Sequence, residues 1–102
     1  MSPEEKLFTD ILLDCSKSIR KNAKSLYNKN SKYYIRRKAM QKQDKYMQDY
    51  LIKQLNEDLD FINSTRCEYI CEFTKINYDY YKYINLKNYH TIKENKNGLW
   101  IK

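Results

Sequence analysis

Apolar residues recur every three or four positions along most of this chain, the spacing of one helix face. The most regular run covers residues 49–73. There Leu51, Leu55, Leu59 and Ile62 form a stripe that Tyr69 and Phe73 continue, while Glu57, Asp58 and Asp60 take the outer side. A first amphipathic helix is expected from Pro3 to about Tyr27, with Ser2 as N-cap, Pro3 in the first turn and Glu5 closing a capping box. Phe8, Ile11, Leu12, Cys15, Ile19, Ala23 and Leu26 fall on one side of it, and Lys17, Lys21 and Lys24 on the other.

Asn28-Lys29-Asn30-Ser31 predicts a break, because Asn tolerates the left-handed C-cap and Ser can cap a new helix. The second helix is expected near Lys32, with Ile35, Ala39, Tyr46 and Tyr50 facing inward and Arg37, Lys38, Lys42 and Lys45 on or beside the opposite face. Unbroken to Phe73 it would be a rod roughly 63 Å long. A turn is therefore expected within residues 44–49, the rival being a rod that packs against its own copy. Asn63-Ser64-Thr65 marks another break, and Thr65-Arg66-Cys67-Glu68 reads as a capping box.

Beyond Phe73 the pattern changes. Ile76, Tyr78 and Tyr80 alternate with Asn77 and Asp79, which predicts a short strand, although Cys67, Cys71, Thr74, Tyr78 and Tyr81 also share a helix face. Residues 90–94, then Asn95-Lys96-Asn97-Gly98, then Leu99-Trp100-Ile101 predict a hairpin, since Asn-Gly favours the positive φ of a tight turn. The expected fold is mainly α: three to four amphipathic helices in a small bundle with a short C-terminal β-hairpin, residues 1–102 forming one small basic helical domain.

Composition sharpens this picture. With one Gly and one Pro, turns must be made by Asn, Asp and Ser, which favours long helices. Charged residues are 32% of the chain, but eleven tyrosines and the Ile and Leu supply the apolar area that disordered segments lack. No apolar run reaches the ~20 residues of a membrane span, and Ser2-Pro3-Glu4-Glu5 is unlike a secretory or mitochondrial leader. Three cysteines, an odd number, fit a reducing intracellular compartment, the cytoplasm first.

The net charge of +7 points to an acidic partner, nucleic acid first and an acidic protein surface second. Residues 1–31 carry +2, 32–49 carry +4, 50–73 carry −3 and 74–102 carry +4. Arg37, Lys38, Lys42 and Lys45 are the expected phosphate contacts, helped by Lys93 and Lys96 on the hairpin. Tyr33, Tyr34 and Tyr46 could stack on single-stranded bases. The plainer reading of these cations is a solvated helix face paired with the acidic third helix. Arg36 and Arg66 lie near apolar stripes, where either could be buried against a carboxylate or mark a partner-facing seam, the plainer reading being that they snorkel at the core edge.

A second class of function is a protein-binding adaptor, inhibitor or assembly subunit, including a homodimer. It would use Phe61, which lies off the main stripe, with Tyr78, Tyr80, Tyr81, Tyr83 and Trp100 of the tyrosine-rich C-terminal third. Cys15, Cys67, Cys71 and His90 together have the composition of a zinc site, but no paired C-x₂-C spacing brings them together, and packing is the expected role of the cysteines. No cofactor or metal is expected. A glycine-rich phosphate loop, a nucleophile elbow and His-Glu-x-x-His are all missing, so an enzyme is not expected.

Tyr34-Ile35-Arg36-Arg37, leading toward a third helix, faintly resembles the small mitochondrial adaptors of the Leu-Tyr-Arg family. That tripeptide itself is missing, Leu7-Phe8-Thr9 being a degenerate counterpart, so no residue role is carried over.

Overall fold

A computed structural model describes residues 2–94. Among them the chain forms five helices and no strand: α1 (Pro3–Tyr27), α2 (Lys32–Ala39), α3 (Asp44–Ile62), α4 (Thr65–Phe73) and α5 (Tyr78–Glu94), with a 3₁₀ turn at Gln41–Gln43 ahead of α3. The longest dimension is 44 Å, well short of the continuous rod, so the chain folds back on itself. α1 is the axis that each of the other four helices touches.

Local chemistry sets these boundaries. Ser2 Oγ accepts the Glu5 N–H at 3.1 Å, Ser31 Oγ the Tyr33 N–H at 3.1 Å and Ser64 Oγ the Cys67 N–H at 3.2 Å, each cap satisfying a helix-end donor. The cap of α4 is therefore Ser64, one residue ahead of the expected Thr65. α4 closes as Ile76 N–H donates to Cys71 O at 2.9 Å, with Lys75 in the left-handed region at φ 61°. Asn77 Oδ1 then accepts the Tyr80 N–H at 2.8 Å and starts α5.

Two apolar clusters fill the bundle. One joins Cys15, Ile19 and Leu26 of α1 to Leu51, Leu55 and Ile62 of α3; the other joins Leu12 to Cys67, Ile70, Cys71 and Tyr81. Phe61, partly buried, packs against both. The ring of Phe8 meets Phe73 edge-on at 5.1 Å, and Phe73 stays partly open to solvent.

Three expectations are corrected here. The β-hairpin does not form: its first arm, residues 90–94, is the last turn of α5, where Ile92 is buried, and its turn and second arm lie outside the described residues. The strand expected through Ile76, Tyr78 and Tyr80 is instead the start of α5, because Tyr81, Asn85 and Ile92 recur at helical spacing and turn inward. The break ahead of α3 falls at Met40, before residues 44–49, so α2 is only eight residues long.

That early break frees α2 from the register of α3. Its inward side carries Tyr33, Tyr34 and Arg37, and Ile35 and Ala39, expected inside, face solvent with Tyr46 and Tyr50. An Arg turns inward here because its guanidinium finds two acceptors: Nε donates to Ser25 O at 3.1 Å, and Nη1 pairs with Asp44.

Candidate functional site

The four cations expected to form a phosphate-binding ridge do not share one face. Arg37 is 5% exposed and holds the C-terminal end of α1 to the start of α3 through Ser25 O and Asp44. Lys38 donates to the other Asp44 oxygen at 3.0 Å. The Lys38 hydrogen bond, followed by the charges of Arg37 and Lys38, keeps the Asp44 carboxyl below its ordinary value of 3.8 despite the opposing effect of burial. Lys42 lies in the 3₁₀ turn and Lys45 on α3, both exposed. Lys93 stands over the rings of Tyr27 and Tyr89 at 5.8 and 5.7 Å, tying the end of α5 to the end of α1. Lys96 lies outside the described residues. Among the described residues no nucleic-acid-binding face built from these cations is evident.

The aromatic residues divide into two groups. Tyr81, 6% exposed, donates its hydroxyl to Leu12 O at 2.5 Å and accepts from Ser16 Oγ at 3.2 Å. Burial pushes its ionisation well above the ordinary tyrosine value. Tyr78 is half-buried and donates to Ile62 O at 2.8 Å, binding α5 to the end of α3. Tyr80 and Tyr83, one helical turn apart, face outward at 63% and 57% exposure. Tyr69, Phe73 and Ile76 of the same stretch are exposed as well, so residues 69–83 present an aromatic and aliphatic surface. Trp100 lies outside the described residues.

The three cysteines are buried free thiols. Burial pushes Cys15 up to about 12, with the charge of Asp58 adding to the effect, and Cys67 also to about 12; Cys71 is raised for the same reason. Such thiols are poor nucleophiles and poor metal ligands at neutral pH. His90 is exposed on α5 beside Tyr89, and among the described residues no group of three or more His, Cys, Asp or Glu stands in metal-holding geometry.

Sequence periodicity missed a cleft of about 560 Å³ where α1, α2 and α3 meet. Lys21, Asn22, Arg36, Arg37, Met40 and Tyr50 are among its lining residues. The basic character of its Arg36-Arg37 pair was visible in the sequence, whereas its shape depends on how three helices cross. Among the described residues no helix is long and apolar enough to cross a membrane. Comparison of the chain with protein-family models, with curated proteins and with solved structures finds no match.

Proposed function

We propose that this chain is a non-enzymatic protein-binding module, an adaptor, inhibitor or assembly subunit, whose contact surface is the outward side of α4 and α5. The observation that carries this reading is the split among the tyrosines of α5. Tyr81 is spent on the core while Tyr80 and Tyr83 stand in solvent. An exposed tyrosine offers a rigid apolar ring with a polar tip and loses little conformational entropy when a partner covers it. Exposed Tyr69, Phe73 and Ile76 enlarge the available apolar area. The nucleic-acid alternative is weaker, since Arg37 and Lys38 are already committed to Asp44. Three reduced cysteines suit a reducing intracellular compartment.

The test is affinity capture from the native host with two baits, the wild-type chain and a Tyr80→Ser/Tyr83→Ser variant, read by quantitative mass spectrometry. A protein recovered by the wild type should fall about tenfold or more with the variant, the loss expected when interface hot spots are truncated. Equal recovery by both baits would remove this surface from the contact. Loss on the variant with retained thermal stability would support it.

A further inference from the structure

The cleft between α1, α2 and α3 is separate from the tyrosine surface and has its own chemistry. Its volume of about 560 Å³ lies within the range of ligand-sized sites. Met40, Met47 and Leu51 give it an apolar wall, and methionine adapts to irregular partners. Lys21 and Arg36 stand exposed at its edge, neither with an ion-pair partner among the described residues. Its lining includes no Asp or Glu. Lys17, Arg20 and Lys24 line an adjoining hollow that shares Lys21 and Tyr33 with the cleft, so positive charge continues along α1.

Two buried polar groups in the lining are incompletely partnered. The Arg37 side chain is 4% exposed; Nε is used on Ser25 O and Nη1 on Asp44, and Nη2 has no acceptor among the described residues. Asn22, 8% exposed, donates Nδ2 to Ser18 Oγ at 3.2 Å, and its Oδ1, an acceptor, has no donor among the described residues. Buried groups of this kind are normally satisfied, so two in one cleft point to something that occupies it.

We propose that this cleft receives an acidic segment of a partner protein. A carboxylate of that segment sits among Lys21, Arg36 and Nη2 of Arg37, a backbone N–H of the segment donates to Asn22 Oδ1, and a neighbouring aliphatic or aromatic side chain packs on Met40, Met47 and Leu51. A guanidinium with a free N–H edge suits a carboxylate. The apolar wall calls for a side chain that a small inorganic anion does not have. Base stacking is disfavoured because the Tyr33 ring is already flanked by the ammonium groups of Lys21 and Lys32, at 5.6 and 5.2 Å from its centroid. The net positive charge of residues 32–49 speeds and orients the encounter.

The experiment pans a phage-displayed library of short random peptides on the full chain, with counter-selection on Arg36→Glu. The recovered peptides are then titrated into ¹⁵N-labelled protein. The expected result is enrichment of Asp or Glu beside Leu or Phe, with amide shifts centred on Lys21, Asn22, Arg36 and Met40. Arg36→Glu and Met40→Asp, both at exposed positions, should each weaken binding about tenfold or more and leave the thermal melt in place. Failure to enrich any peptide would overturn the proposal, as would recovery of neutral or basic peptides, or shifts confined to α5. Equal displacement of the peptide by inorganic phosphate or by a single-stranded thymidine oligonucleotide would also overturn it. Tyr80→Ser/Tyr83→Ser should leave peptide affinity unchanged, so failure here and failure of the α4 and α5 surface are told apart.

Discussion

Replacing Tyr81 with phenylalanine should cost about 1–2 kcal/mol, and replacing it with alanine about 3–5 kcal/mol. The smaller figure comes from the hydroxyl alone, which donates to Leu12 O and accepts from Ser16 Oγ. Ser16 can recover part of the loss by turning to the carbonyl four residues back. The larger figure adds the ring, which is packed against Leu12, Cys67, Ile70 and Cys71. Tyr80→Ala and Tyr83→Ala should each stay within about 0.5 kcal/mol of wild type, because both rings are in solvent and alanine is a better helix former. For a chain of this size one kcal/mol moves Tm by roughly 4–8 °C, so thermal melts followed by far-UV circular dichroism separate the two classes easily. A double-mutant cycle of Tyr81→Phe with Ser16→Ala should show coupling. If Tyr80→Ala cost as much as Tyr81→Ala, or Tyr81→Ala left Tm in place, the rotation of α5 described here would be refuted.

Acid stability should depend on Asp44. Its folded value lies below the ordinary 3.8, so its stabilisation is complete above that value and is lost as pH falls through the lowered one. Asp44→Asn should flatten that limb of a pH-dependent urea titration, and an unchanged limb would contradict the pairing with Lys38 and Arg37. Asp58 has the opposite sign: burial raises it, so its ionisation removes stability as pH rises past 3.8, and Asp58→Asn should steepen the net acid loss. At pH 8 a thiol pushed up to about 12, as Cys15 and Cys67 are, is ionised in roughly one molecule in 10⁴, and Cys71 is raised and buried as well, so Ellman's reagent should label none of the three cysteines quickly in the native protein and all three in urea. Lys75→Gly should raise stability by up to about 1 kcal/mol in a thermal melt, since φ 61° strains a residue that has a Cβ.

α1 was legible in its bounds and most of its stripe, because both are written in adjacent residues, and Ser2, Pro3, Cys15, Ile19 and Leu26 take the expected places, whereas Ile11 is exposed and Asn28 ends the helix in an extended rather than a left-handed conformation. α2 was not. Over eight residues two opposite faces fit the pattern about equally, and the choice was made by the acceptors that Ser25 and Asp44 offer to Arg37 from other helices. The same pairing takes Arg37 and Lys38 out of the expected ridge and leaves Lys42 and Lys45 exposed, since sequence spacing records the presence of a cation and not whether its charge is already used. In the C-terminal third, tyrosines at every second residue imitate a strand, while the residues that decide the issue, Tyr81, Asn85 and Ile92, are spaced for a helix. The cleft left no periodic signal because its wall is drawn from three separate segments.

Hydrogen exchange on the complex with a partner captured by the wild-type chain tests the central claim most directly. Slowed exchange in residues 69–83, with the amides of α3 unchanged, is the result predicted for docking on the outward tyrosines. Protection confined to the helices that lack Tyr69, Tyr80 and Tyr83, or no change on binding, would contradict it.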